Sequence, residues 1–460
     1  MSRKIITITL SLFISSFTVF AQDDSIMVKK ISDEILLNSK AYSNLFTLCK
    51  TVGQRLSGSA GMYKGEAWGL KTLKDAGAEK VYLQECMVPH WVRGKKEIAC
   101  FKSKNKNTTV YFSVLAIGNS TGTGDKGVLA PVIEVRNFEE LNQRKDEVKG
   151  KIVFFNYPFN KTLLKGAYGD AVRYRSGGAS AAAKYGALAV IVRSVTAAYD
   201  DNPHTGALRY NDSFPKIPAI AISTKGAELL SAGLKGLNKD DNFYIQTNCQ
   251  MLADTIGHNV IGEIRGTEFP DEIITIGGHM DSWDPAEGAS DDGTGMVQSI
   301  EILRAFNALG YKPRHTIRIV LFANEENGGR GAEKYAEEAK AKNEKHIMAM
   351  ESDGGAEYPR GFGCGMTKDQ FAKVALWTKY FEPLDAAKFS FSEGSGGGAD
   401  IGPLQKLFKT PQFGLNTSGQ RYFDMHHSAI DVFEKINAQE LNLCAAVMAT
   451  MVYLVDKNGL

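Results

Sequence analysis

The chain has 460 residues, 43% of them hydrophobic and 23% charged, with a formal net charge of +2. This is ordinary globular composition, and the length predicts two or three domains around a sizeable core. The nearly balanced charge argues against a nucleic-acid binder or a protein held on an anionic membrane surface.

At the N-terminus, Arg3 and Lys4 precede the apolar run from Ile5 to Phe20, and Val19-Phe20-Ala21 puts smaller residues before Gln22. Residues 1–21 therefore read as a secretory signal peptide cleaved after Ala21, which predicts a secreted or periplasmic protein. The run is short for a membrane span, no cysteine follows Ala21, and no other stretch reads as a span, so no membrane anchor is expected after cleavage. Six cysteines (Cys49, Cys86, Cys100, Cys249, Cys364 and Cys444) are scattered without a CxxC pair, and their spacing does not choose between disulfides and buried thiols.

In chain order, Ile26, Val28, Ile31, Ile35 and Leu36 recur at helical spacing. In the turn-like GQRLSGSAG that follows, Ser57 or Ser59 caps a helix predicted over 62–76 and closed by Gly77. Residues 81–89 and 91–112 read as strands, and this opening shows no chemistry. The texture changes at Ala116. A flexible GNSTGTGDKG leads into short apolar strands over 128–135, 151–155, 187–192 and 217–222, with helix-like runs over 138–148 and 178–185. Residues 117–250 thus read as a separate α/β insert, holding His204 but no acidic cluster, and serving as lid or scaffold. Beyond Cys249, strands over 255–264, 273–276, 316–323 and 347–350 alternate with helices over 294–308 and 332–342. That order predicts an α/β domain, built from 22–116 and 251–460, whose mostly parallel central sheet is flanked by helices.

Chemistry gathers at the strand ends. Ile273 to Ile276 read as a buried strand stopped by Gly277-Gly278, and His279, Asp281, Asp284, Glu287, Asp291 and Asp292 follow within fourteen residues. Like charges at that density repel unless a cation neutralises them, and strand ends are where open α/β sheets place ligands. The next strand ends in Glu325-Glu326 and the one after in Glu351-Ser352-Asp353, while His426, His427 and Asp431 lie near the C-terminus. Carboxylates and imidazoles without thiolate suit zinc, with manganese or cobalt as substitutes. Two such metals activate a water for amide hydrolysis, and either Glu325 or Glu326 ligates while the other takes the proton. Asp284 and Glu287 have no assigned role and read as members of a solvated loop.

The blocks GGHMDSWDPAEGASDDGTG, FANEENGGRGAEKY, MESDGG and HHSAID resemble the signatures of the co-catalytic di-zinc exopeptidases, the superfamily of bacterial aminopeptidases and glutamate carboxypeptidase. The GHMDSWD form and the insert are nearest to its carboxypeptidase Q branch. The resemblance implies that His279 and Asp353 ligate one zinc and Glu326 and His427 the other, with Asp291 bridging. It further implies Glu325 as general base, Asp281 as the group orienting His279 through its second ring nitrogen, and a cis peptide between Asp291 and Asp292. The family histidine lies four residues before an acidic residue, which selects His427 over His426. By the same resemblance the insert is a protease-associated domain covering the active site, and the glycine-rich SEGSGGGAD lines the substrate pocket. Ser395, Gly396, Gly397, Asp400 and His426 are then candidate substrate contacts, Asp400 facing a substrate amine.

The resulting expectation is an exported exopeptidase with two zinc ions that removes single residues from dipeptides or short peptides with a free N-terminus, acting on peptide and not on nucleic acid. Resemblance also implies a homodimer. The alternatives are a one-zinc transferase like the glutaminyl cyclases and a non-catalytic receptor of the same fold; a filled set of ligands for two metals disfavours both. Five N-x-[ST] sequons begin at Asn107, Asn119, Asn160, Asn211 and Asn416.

Overall fold

The computed structural model describes residues 24–460 apart from 104–107, 164–165, 237–240 and 420. The expected signal peptide and Asn107 lie outside the described residues. One large sheet organises the chain: β1 (Lys80–Val92), β2 (Gln250–Ile264), β3 (Phe269–His279), β4 (His315–Phe322), β5 (Lys345–Glu351), β6 (Pro359–Gly365), β7 (Ser390–Ser392) and β8 (Gln412–Thr417). These eight strands lie in the order β1-β2-β4-β3-β5-β8-β6-β7. The centre is parallel, β4 and β5 flanking β3 and β8 lying beside β5. Antiparallel pairings of β1 with β2, β2 with β4, and β6 with β8 extend the sheet on both sides.

The centre is parallel because its strands are apolar on both faces and must be covered twice. Every residue of β4 is buried, and so is β3 from Ile273 onward. Helix Thr294–Ala308 packs against the sheet and against helix Ala438–Asn458. By length and composition the latter is apolar enough to span a membrane, contrary to expectation. It is a core helix instead: apart from Asn442, every residue from Leu441 to Asp456 is buried in the fold.

The strand carrying the first histidine is longer than expected. Gly277 and Gly278 do not end it; β3 runs on to His279. A Cβ at Gly277 would stand 2.3 Å from the Val320 carbonyl oxygen, and one at Gly278 would stand 2.2 Å from Asp292 Oδ2. The glycines let neighbouring groups approach the backbone, so what reads as a stop signal is a packing requirement.

Between β1 and β2 the chain builds two smaller sheets. One joins Val114–Ala116, Ala219–Ile222, Ala189–Arg193, Ile152–Phe155 and Val132–Val135, the last four parallel. The other is antiparallel and joins Thr108–Tyr111, Ile98–Ser103, Asn242–Gln246 and Val128–Ala130. The single strand expected over 128–135 is split between the two sheets at Pro131, which has no N–H for a ladder. Phe154, Ile191, Ile220, Phe243 and Ile245 fill the space between the sheets, and helix Ala167–Ala183 covers the far face of the parallel one.

All six cysteines are buried free thiols. Ile276 lies at the middle of the parallel core with no exposed surface. Ile276→Ala should lower the unfolding free energy by about 2–5 kcal/mol in chemical denaturation, as for other truncations in tightly packed cores.

Candidate active site

The order β4-β3-β5 means that the chain leaves β3 for one neighbour and then crosses to the other. A crevice opens where strand order reverses in this way. In register, His279 lies beside Phe322 and Gly277 beside Glu351, so the three strands end nearly level. Each then delivers its carboxylates or imidazole to one place.

His279 Nε2 stands 3.1 Å from Asp291 Oδ1 and 3.6 Å from Asp353 Oδ1. His427 Nε2 stands 3.1 Å from Asp291 Oδ2 and 3.0 Å from Glu326 Oε2. Asp291 therefore turns one oxygen to each group. His426 stacks on His427 with ring centroids 3.5 Å apart, its Nε2 3.5 Å from Asp291 Oδ2. Two neighbouring sets, His279–Asp291–Glu326 and Asp291–His426–His427, have donor atoms close enough to share a cation, as does His279–Asp292–Asp353. The peptide bond between Asp291 and Asp292 is cis.

The fit to a metal can be tested on the donors. His279 Nδ1 donates to the Asp281 main-chain carbonyl at 2.9 Å, which turns Nε2 towards Asp291 and Asp353 as the nitrogen that would offer its lone pair to a cation once its proton leaves. Glu326 Oε1 is buried without a hydrogen-bond partner, an arrangement that a cation would repair. Imidazole and carboxylate donors with no cysteine nearby match zinc.

Asp281 acts on His279 through its main chain, since its carboxylate is 3.7 Å from Nδ1. The carboxylate instead accepts from the N–H groups of Glu325 (2.9 Å) and Glu326 (3.3 Å) and from Ser57 Oγ (3.2 Å). It thereby sets the turn that carries both glutamates. Ser57 also accepts from Asn324 Nδ2 at 3.1 Å, leaving Ser59 as the cap of helix Ala60–Asp75. Asp292 accepts from the N–H groups of His279 and Gly295, and Asp431 from those of Ser290 and Asp291.

Arg55 is the largest omission of the sequence reading. It is fully buried and donates to the carbonyls of Gly53, Met280, Glu287 and Gly288, which ties down the loop between His279 and Asp291. Nothing in GQRLSGSAG marks it, because the partners of its guanidinium are all main-chain oxygens. The two unassigned acids also have structural work and do not belong to a solvated loop. Asp284 forms a two-pronged ion pair with Arg93 at 2.6 and 2.7 Å, while Glu287 pairs with Lys50 at 2.6 Å and accepts from the Phe433 N–H.

Burial, reinforced by Asp353, Glu326 and Asp281, pushes Glu325 well above the ordinary glutamate range against the pull of His279. Burial and Asp291 push Glu326 up to about 7, and the same two causes bring Asp431 to about 7. Burial works against charge on His279 and His427, yet their carboxylate neighbours hold both well above the ordinary histidine range. Asp291 resists burial through His279 and His427 and stays well below its ordinary value.

The segment between β1 and β2 closes over the histidines. Thr205 N–H donates to the His427 carbonyl at 2.9 Å, His204 Nδ1 donates to the His426 carbonyl at 2.6 Å, and Arg175 Nη1 lies 3.3 Å from His427 Nδ1. Beside this contact lies a groove of about 1000 Å³ whose lining includes Phe159 and Tyr168, packed on Phe423 with ring centroids 5.9 and 4.8 Å apart, together with Tyr422 and Asp353. Asp353 is 26% exposed, whereas His279 and Asp291 are nearly sealed at 1% and 4%. None of the five expected substrate contacts, Ser395, Gly396, Gly397, Asp400 and His426, is among the residues lining this groove. Asp400 is buried, with neither carboxylate oxygen hydrogen-bonded to the protein.

A buried cluster of metal-ligand side chains at the switch point of such a sheet suits a metallo-exopeptidase, and residues 259–452 match the model of peptidase family M28. The chain belongs to this family. It is 34% identical to carboxypeptidase Q of Mus musculus over 91% of this chain and 86% of that one, and 35% identical to carboxypeptidase Q of Xenopus laevis with the same coverage. Among solved structures, it is similar to a peptidase M28 precursor from Shewanella amazonensis SB2B, with TM-score 0.88 and 32% identity over 95% of this chain and 97% of that one. The zinc aminopeptidase BSAP of Bacillus subtilis shares the fold at TM-score 0.64 and 18% identity, covering 90% of this chain and 94% of that one.

Glu326, Asp431, His279 and His427 all have pKa values raised by the fold, so each stabilises the metal-free protein at low pH and loses that contribution as pH rises. Asp291, His426 and His204 have the opposite sign: the loss from Asp291 falls below its ordinary value of 3.8, and the two lowered histidines offset part of the fall, while Asp292, Glu325, Glu351 and Asp400, also raised, add to it. The Tm of chelator-treated protein should therefore fall as pH rises from about 4.5 towards 7. Added zinc should raise Tm most at the upper end, where the ligands give up protons most readily. A flat Tm across this window would show that the buried cluster is not ionising as described.

Proposed function

We propose that the protein is an exported exopeptidase that uses two zinc ions to release single residues from dipeptides or short peptides with a free N-terminus. His279, Asp291 and Asp353 would hold one ion and Asp291, Glu326 and His427 the other. The observation carrying this reading is the division of the Asp291 carboxylate, one oxygen 3.1 Å from His279 and the other 3.1 Å from His427. A carboxylate placed in this way is suited to bridge two cations.

Bound zinc supplies Lewis acidity, polarising the scissile carbonyl and easing deprotonation of a water. The chain's own residues do the rest. Glu325 stands outside the three sets of converging donor atoms, remains partly exposed and has a raised proton affinity, which suits it to take the proton of the attacking water and return it to the leaving amine. Asp281 holds Glu325 and Glu326 by their main-chain N–H groups, so base and ligand keep a set separation. His426, stacked beside His427, and Asp400 are the proposed substrate contacts. The part of the chain from 117 to 250 acts as a protease-associated lid, excluding water and supplying one wall of the groove without taking part in the chemistry.

Replacing Glu325 by Gln separates base from ligand. Glu325→Gln should keep the zinc content of the wild type by elemental analysis and lose about 10²- to 10⁴-fold in kcat on a panel of dipeptides and aminoacyl amides. Loss of a metal would make Glu325 a ligand, and turnover close to wild type would remove it from the mechanism. Asp291→Ala should instead release metal from both positions, whereas Asp353→Ala or His427→Ala should each reduce zinc by one ion per chain.

A further inference from the structure

The groove that ends on Asp353 is lined by four charged side chains: Lys161, Arg360, Lys388 and Asp353 itself. Its outer part is therefore cationic and its inner end is a metal-site carboxylate. Lys161 stands on the wall contributed by the inserted segment, while Arg360 and Lys388 stand on the body, at β6 and just before β7. Arg360 already has a counterion, Asp385 at 2.6 Å. Among the described residues, neither Lys161 nor Lys388 forms an ion pair, and both are exposed. At about 1000 Å³ the groove is at the upper end of the range for small-ligand sites, with room beyond a scissile bond held at Asp353.

A short peptide has opposite charges at its two ends, and the groove discriminates between them. Three cations repel an α-ammonium group and attract an α-carboxylate. The inner cluster, with Glu325 and Asp353 partly exposed beside it, has the reverse preference. We propose that Lys161 and Lys388, assisted by Arg360, hold the C-terminal carboxylate of the residue that leaves. The substrate would then lie with its amino end at the metal cluster and its carboxyl end along the groove. This inference rests on the exopeptidase reading above and adds to it the residues that read the departing half of the substrate. Free peptide acids are preferred over the corresponding amides, and the preference weakens as salt screens the lysines.

The test compares leucyl-alanine with leucyl-alaninamide on the zinc-loaded, full-length mature protein. The wild type should favour the acid by about tenfold in KM, the size of one charge-assisted contact. Lys161→Ala/Lys388→Ala should raise KM for the acid by about as much, leaving kcat and the KM of the amide within twofold. Both lysines are exposed, so folding should be unaffected. Equal KM values for acid and amide in the wild type would overturn the assignment, and so would a double variant that moves both substrates equally. Calorimetric titration of Glu325→Gln with the same two peptides separates this from the catalytic reading. Preferential binding of the acid supports the groove whether or not the wild type turns it over, and binding without preference, or none, overturns it. Absence of turnover alone counts against the peptidase reading.

Discussion

The constraint on which this structure depends is the concentration of like charge at the ends of three parallel strands. Asp291, Glu326, Asp353 and Glu325 converge around His279 and His427 in an interior that excludes most water. Mutual repulsion in a low dielectric is costly, and protons or cations must relieve it. Without metal the relief comes from protons: burial first, and then the neighbouring carboxylates, raise Glu325 and Glu326, while Asp291, held between two imidazoles, is lowered. The same pressure that would disrupt an empty cluster becomes affinity for a divalent ion.

That cluster is held by the backbone more than by side chains. The carboxylates of Asp281, Asp292 and Asp431 each accept from two main-chain N–H groups near the ligands, and Arg55 donates to four main-chain carbonyls. Such bonds fix the loop paths from which His279, Asp291 and the glutamates project. A ligand projecting from a pinned loop loses less conformational freedom on binding a metal. The acids nearest the metal ligands are thus divided into those that face the cation and those that hold the chain, and sequence position alone does not distinguish them.

The segment between β1 and β2 does more than cover the crevice. Thr205 and His204 bond to the carbonyls of the two adjacent histidines and Arg93 binds Asp284, while Trp91, at the end of β1, packs edge-on against Trp283 at 6.1 Å. Loops from both parts of the chain therefore meet around the same few residues. A groove walled by both parts, with its charges arranged by sign, gives the site a direction as well as a chemistry.

By itself the sequence determined the alternation of strands and helices after Cys249, because apolar strands of that length with short connections have few ways to be buried. It also placed carboxylates and imidazoles at successive strand ends, where the parallel arrangement carries them to one edge, and its four blocks pointed to the family. Tertiary structure alone decided the rest. Gly277 and Gly278 look like a stop but sit inside β3, because the need for room comes from Val320 and Asp292, neighbours distant in the chain or across a turn. Arg55 and Ser57 belong to the site through bonds spanning more than two hundred residues. Asp284 and Glu287 read as spare acids until Arg93 and Lys50 are seen beside them. Helix Ala438–Asn458 is apolar enough for a membrane and is instead enclosed by the core. In each case the local pattern records which groups are present, while their roles depend on partners that only the folded chain brings within reach.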